Sequence, residues 1–285
     1  TRRALSRGLQ NPIAREEVIG ATKRAAAEAL EYRGFLEDEL AELWMSRGND
    51  YFVRERAEDI AWHTEAIADH DLSNGALVLV RQAGESPIGN ATQIFVHVRD
   101  ESNTFAKICA ALDTLDLSVH DARIYSDDDG STLDTFYVLR SDGTSLDPHS
   151  DTFREIRHTI QYNLLQPSAK TVTRHMPRTV RAFKIPTQIQ FSKDQLSGLT
   201  TLEISTADRP GLLARIGSVL SQHGVTVQGA KIQTLGERVE DIFFLSDDKG
   251  RSLEDAALIA ELKGELIEQL NSGQHHKPVS MGLGV

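Results

Sequence analysis

The sequence has too little of several things to be most familiar kinds of protein. A single cysteine, Cys109, in 285 residues leaves no disulfide framework to draw. Its place on the apolar face of a helical stretch makes the reducing cytoplasm the expected setting. Long apolar runs are missing: the longest, Ala76–Val80 and Ile108–Leu112, fall far short of the ~20 residues of a membrane-crossing helix. Basic excess is missing too. Lys and Arg number 31 against 42 Asp and Glu, a net charge of −11, whereas a surface for nucleic-acid phosphates needs the opposite sign. There is no secretory leader pattern. The chain opens at Thr1 in a basic polar stretch without an initiator Met, as expected of a fragment. What remains, 40% hydrophobic and 26% charged residues, is the balance of a soluble globular chain. The length suggests about two domains.

The most informative stretch runs from Thr200 to Leu245. Thr201, Leu202, Glu203, Ile204 and Ser205 alternate as a half-buried strand does. The corner Asp208-Arg209-Pro210-Gly211 follows; Pro210 suits a helix's first turn, and Gly211 lets a backbone or ligand come close. Leu212, Leu213, Ile216, Val219 and Leu220 then recur at helical spacing. The free amides of such a helix start, at the positive end of its dipole, suit a carboxylate.

The same pattern occurs earlier. Ile94 to Val98 reads as a strand, Asp100 to Asn103 as a turn, and Phe105, Ile108, Cys109 and Leu112 as one helix face. Sliding this copy onto the later one pairs Asp100 with Asp208, Ile108 with Ile216, Val119 with Val227 and Ala122 with Ala230. After a one-residue gap it pairs Asp134 with Asp241, Phe136 with Phe243 and Gly143 with Gly250. Matches over a whole unit mark a duplicated module. Each copy reads strand, strand, helix, strand, strand, helix. That order predicts an α+β fold, a four-stranded antiparallel sheet with both helices on one face. The usual ferredoxin-like order puts a fourth strand beside the first; here a preceding hairpin strand, Leu77–Val80 or Gln188–Phe191, takes that edge. Two such sheets can pair edge to edge or pack within one chain.

The divisions expected are a helical segment at 1–71, a first module at 72–165, a linker at 166–183, a second module at 184–272 and a tail at 273–285. The helical segment buries little by itself and is expected to pack against something upstream. Strands are expected at Val225 to Leu235 and Val239 to Ser246, hinged at Gly236-Glu237.

Several groupings imitate functional motifs. Gly84 to Asn90 has a loop's glycines but no Lys-Ser/Thr to cradle phosphate. Asp127-Asp128-Asp129-Gly130 lacks the spaced oxygen ligands of a calcium loop and reads as a solvated turn. His70-Asp71 has only His63 nearby to complete a coordination shell, and alternation along a strand sends His120 and Asp121 to opposite faces. His275-His276 reads as tail.

The duplicated unit with its Asp-Arg-Pro-Gly-Leu-Leu-Ala corner resembles the ACT domain, a small regulatory module that binds amino acids. With Asn49-Asp50-Tyr51-Phe52-Val53-Arg54, Ile60-Ala61-Trp62-His63-Thr64, Leu117 to Ile124 and Gly236 to Asp241 included, the chain resembles one family. It is that of the bifunctional uridylyltransferase/uridylyl-removing enzymes, which modify the nitrogen regulatory protein PII. The resemblance implies two ferredoxin-like ACT modules at the C-terminal end, behind a nucleotidyltransferase domain and an HD-type hydrolase domain that are absent here. The helical segment would be the connector from the HD domain. Neither catalytic motif set is present, so no catalytic or metal-binding residue is expected, and magnesium would belong to the absent domains.

The resemblance further implies glutamine as ligand, controlling PII modification and so nitrogen assimilation. Its expected contacts are Asp208, Arg209, Pro210, Gly211, Leu212 and Leu213, with Asp208 facing the ammonium. The strand after the first helix adds Val227, Gln228 and Gly229. The first copy offers Asp100, Asn103, Thr104, Phe105, Val119, His120 and Asp121, but its corner lacks Pro and Gly. Glu101 also adds negative charge where a carboxylate would dock. The second corner is thus expected to be the stronger site. The rival reading is a ligand-free dimerisation or docking scaffold.

Overall fold

The computed structural model describes residues 12–84, 89–99, 101, 103–169, 185–194, 197–235 and 238–271. Asp100, the Glu85–Ile88 loop, most of the expected linker, the hinge at Gly236-Glu237 and the tail with His275-His276 lie outside them.

The chain begins with helices α1 (Pro12–Glu31), α2 (Glu37–Leu43), α3 (Asn49–Arg54) and α4 (Ala57–Ala68). The first module follows as β1 (Leu77–Gln82), β2 (Thr92–Arg99), α5 (Thr104–Thr114), β3 (Leu117–Ser126), β4 (Ser131–Arg140) and α6 (Thr152–Leu164). The second repeats it as β5 (Gln188–Lys193), β6 (Thr200–Ala207), α7 (Leu212–Gln222), β7 (Thr226–Lys231), the short β8 (Thr234–Leu235), β9 (Arg238–Ser246) and α8 (Ala256–Asn271).

All strands join one antiparallel sheet in the order β1-β2-β4-β3-β7-β9-β6-β5, with β8 paired to β9. The hairpin strands β1 and β5 hold the two outer edges, against β2 and β6. The modules meet at their opposite edges, where Asp121, Ala122 and Arg123 of β3 pair with Lys231, Ala230 and Gly229 of β7. Both joining strands carry a bulge at the equivalent place, between Val119 and Asp121 and between Val227 and Gly229. A bulge inserts one unpaired residue and bends its strand. His120 and Gln228 are those residues, so simple alternation of side chains does not hold at His120-Asp121.

Helices α5 to α8 cover one face, and a single apolar core runs under both modules. Ile108, Leu112, Ile156, Ile160, Ile216, Leu220, Leu262 and Leu266 pack on Ile94, Val96, Phe136, Leu202, Ile204 and Phe243. Helices α5 and α7 touch closely at Gly217, where a Cβ would lie 2.8 Å from Phe105 Cδ1 and 3.1 Å from Ala106 Cβ.

The opposite face distinguishes the modules. On the first it is covered by α1–α4, whose Leu30, Leu40, Tyr51, Phe52 and Ile60 pack on Phe95, Tyr125 and Leu133. The helical segment, expected to bury little by itself, thus buries its apolar side chains on its own chain's sheet. In the second module the positions matching Phe95 and Leu133 are Glu203 and Glu240, both exposed.

Polar contacts tie this layer down. Arg123 Nη1 donates to the buried Glu55 at 2.8 Å, and Arg81 pairs with Asp59. Arg47 pairs with Asp127, so that aspartate is buried and partnered, not solvated as its turn suggests. His63 accepts or donates at Tyr51 Oη, 2.9 Å away, and stacks on Phe95. His70 bonds the Gly75 carbonyl, and Asp71 accepts from the Ser73 amide. Arg54 reaches the second module, donating to the Gln228 carbonyl at 2.9 Å.

Candidate functional site

Each module turns from its second strand into its first helix through one left-handed residue, Asn103 (φ 72°, ψ 11°) or Gly211 (φ 76°, ψ 10°). Glycine takes that geometry at no steric cost, and asparagine tolerates it better than most side chains. The two corners thus share a backbone course despite unlike sequences. Pro210 precedes Gly211 and stands outside α7, not in its first turn as the sequence suggests. The N-cap position belongs to Gly211, so Asp208 is not the cap.

The first amide of each helix is already used. Thr104 N–H donates to the Glu101 carbonyl at 3.3 Å and Leu212 N–H to the Arg209 carbonyl at 3.2 Å. Leu212, expected to offer its amide to a carboxylate, is closed in this way. The Asn103 N–H crosses to the other module and donates to Ser221 Oγ at 3.0 Å. Each module also sets a cation at the end of its last helix, where the dipole is negative: Lys107 Nζ on the Leu164 carbonyl at 3.2 Å, and Arg209 Nη1 on the Leu270 carbonyl at 2.6 Å. Lys107 also lies 3.6 Å from Glu101 and offsets its charge.

Edge-to-edge pairing brings each corner against the other module, crosswise. The first corner contributes Glu101, Asn103, Thr104 and Phe105 to a cleft completed by Thr226, Val227 and Ser221 of the second module, with Thr132 and Asp134 of β4 in its lining. It encloses about 260 Å³. The second corner contributes Asp208, Arg209, Leu212 and Leu213 to a cleft completed by Leu117, Ser118 and Val119, with Asp241 of β9 in its lining. This one encloses about 70 Å³. The corner expected to be the stronger site therefore lines the smaller space.

The electrostatics also differ. In the first cleft Asp134 Oδ1 accepts from Thr132 Oγ1 at 2.6 Å, and the buried Oδ1 of Asn103 has no hydrogen-bond partner. In the second, burial pushes the Asp241 carboxyl up to about 7, with the neighbouring Asp208 adding to the effect. Asp208 is itself raised by partial burial, although its side chain still reaches solvent. Arg209 is lowered by desolvation.

Of the nominated residues, Asn103, Thr104, Phe105 and Val227 meet in the first cleft, and Asp208, Arg209, Leu212, Leu213 and Val119 in the second. Pro210, Gly211, Gln228, Gly229, His120 and Asp121 line neither. Asp121 faces Arg123 at 3.2 Å, Gln228 serves Arg54, and Gly229 makes room for the Arg54 guanidinium. Sequence reasoning missed Asp134, Asp241 and Ser221. The signal for the aspartates was their repetition at matching positions, two residues before a core phenylalanine.

Residues 14–66 match the family described as "Uridylyltransferase GlnD fifth domain", and residues 200–264 match the ACT domain. Over 280 residues the chain is 40% identical to a bifunctional uridylyltransferase/uridylyl-removing enzyme of Stutzerimonas stutzeri, covering 98% of this chain and 31% of the relative. Over 278 residues it is 42% identical to the enzyme of the same description from Azotobacter vinelandii, covering 97% and 31%. The chain thus spans about a third of the length of the curated relatives it matches. Along nearly its whole length the chain is thus similar to about a third of a bifunctional uridylyltransferase/uridylyl-removing enzyme, and its ββαββα module, present twice, has the ferredoxin-like fold of the ACT domain that residues 200–264 match.

Proposed function

We propose that this chain is the glutamine-sensing region of an enzyme that attaches uridylyl groups to PII and removes them. The observation that carries the reading is the first cleft. It has room for an amino acid, and its groups match the three ends of glutamine. The ligand's carboxylate meets the positive end of the α5 dipole, carried by the first-turn amides that follow the engaged Thr104 N–H. Its ammonium meets Asp134. Its carboxamide N–H is accepted by the unpaired Asn103 Oδ1. Glutamate would leave that acceptor facing a carboxylate, and an unpaired buried polar group is what lets such a site reject a near-isostere.

Binding there draws the two modules together across the β3–β7 seam, and Arg54 carries the change toward the helical segment through the Gln228 carbonyl. The scaffold reading draws its support from that continuous seam, which joins the modules without any ligand. Thermal unfolding with glutamine and with glutamate separates the two. A ligand that binds only the folded state at a hundred times its Kd adds about 2.7 kcal/mol. Glutamine should raise Tm, glutamate should not, and Asn103→Ala should remove the response. No shift and no calorimetric heat at millimolar glutamine leaves the scaffold reading. UMP transfer or removal by this chain alone, assayed with PII and magnesium, is expected to stay at background.

A further inference from the structure

The second cleft is not a smaller copy of the first. Asp134 is held by Thr132, but the matching position before Asp241 is Val239, which offers no donor. Asp241 is 1% exposed, and neither carboxylate oxygen has a hydrogen-bond partner. The Gln233 backbone N–H approaches the carboxyl and works against the effect of burial. The charged and titratable groups around the cleft are Asp208 and Arg209 from the β6–α7 corner and Cys109 and Asp113 from α5. Among the described residues that line the cleft the cation is Arg209, which donates instead to the Leu270 carbonyl.

A buried acceptor lacking a donor costs about 1–3 kcal/mol, and more when it is charged. A ligand that brings both N–H donors and positive charge reverses that cost, whereas a carboxylate would meet Asp208 and Asp241 as like charges. Size narrows the choice. One water needs ~10–15 Å³ of such space, so the ~70 Å³ here suits a compact ion with a few waters.

We propose that the second cleft binds an ammonium ion, held between Asp241 and Asp208 with the Ser118 hydroxyl as a further acceptor. The ion requires the Asp241 carboxylate. Below pH 7 its binding therefore releases one proton, the neutral carboxyl and the ammonium going to an ion pair and a free proton. Competition with that proton weakens apparent affinity about tenfold for each pH unit below 7.

The test uses ammonium chloride against sodium and potassium chloride at equal ionic strength, with no amino acid present. Its failure therefore leaves the glutamine reading standing, and the reverse also holds. At pH 8 the expected result is a Tm that climbs with the logarithm of ammonium concentration, flat in the other two salts. The climb should vanish in Asp241→Asn and persist in Asp134→Asn. Equal Tm in all three salts, or a potassium effect equal to that of ammonium, overturns the proposal, as does a full response in Asp241→Asn. A second reading needs no variant. Carboxyl-detected NMR of the unaltered chain should show the Asp241 titration moving to lower pH as ammonium is added, and an unmoved midpoint overturns the proposal equally.

Discussion

Asp241→Asn should make the protein more stable in sodium buffers, and only above acidic pH. The carboxyl moves from its ordinary 3.8 when unfolded to about 7 when folded. The native state therefore binds more protons than the unfolded state between those values, and stability falls as pH rises through that window. At 1.36 kcal/mol per pH unit, the interval from 3.8 to about 7 costs the folded protein about 4 kcal/mol once pH exceeds 7. Asn keeps the size and removes the charge but brings an amide that must find an acceptor, a partial loss of about 1–3 kcal/mol. The net gain expected at pH 8 is roughly 1–3 kcal/mol by the same principles. It should shrink steadily on acidification and reverse between about pH 4.5 and pH 6, where the falling cost of the charged carboxylate crosses the cost of the Asn amide. Urea unfolding of wild type and variant at pH 4.5, 6 and 8, followed by circular dichroism, measures it. A difference between the two proteins that does not change with pH would show that the Asp241 carboxyl is not raised in the folded state.

Three further outcomes follow from packing and backbone geometry. Gly217→Ala should destabilise by about 1–3 kcal/mol through overpacking, because its Cβ meets Phe105 and the Ala106 backbone; a neutral melting curve would show that α5 and α7 part easily. Gly211→Val should cost about 1–3 kcal/mol from a left-handed β-branched residue, while Asn103→Gly, at the same backbone angles, should stay within about 0.5 kcal/mol, both read from Tm. Arg123→Ala should cost about 3–5 kcal/mol by leaving Glu55 charged and buried; Glu55→Gln in the same background should recover part of it, and chemical denaturation of the three proteins decides.

The repeat, the element order and the helix-turn corners were legible in local sequence patterns. Period-two alternation and helical spacing are local properties, and two copies of each pattern reinforced one another. It also held, unread, the reason why the modules differ. Phe95 and Leu133 make the first sheet apolar on both faces and call for the cover of α1–α4, while Glu203 and Glu240 at the matching places leave the second face to water. The tertiary structure decided what faces what. Val119 belongs with the second corner and Val227 with the first because β3 pairs with β7, a register between strands more than a hundred residues apart that no local pattern encodes. The same seam gave Gln228 and Gly229 to Arg54. It also set Asp134 and Asp241, residues of ordinary strands, into two clefts of unequal polarity, where Thr132 serves Asp134 in the first and Val239 takes the matching place in the second.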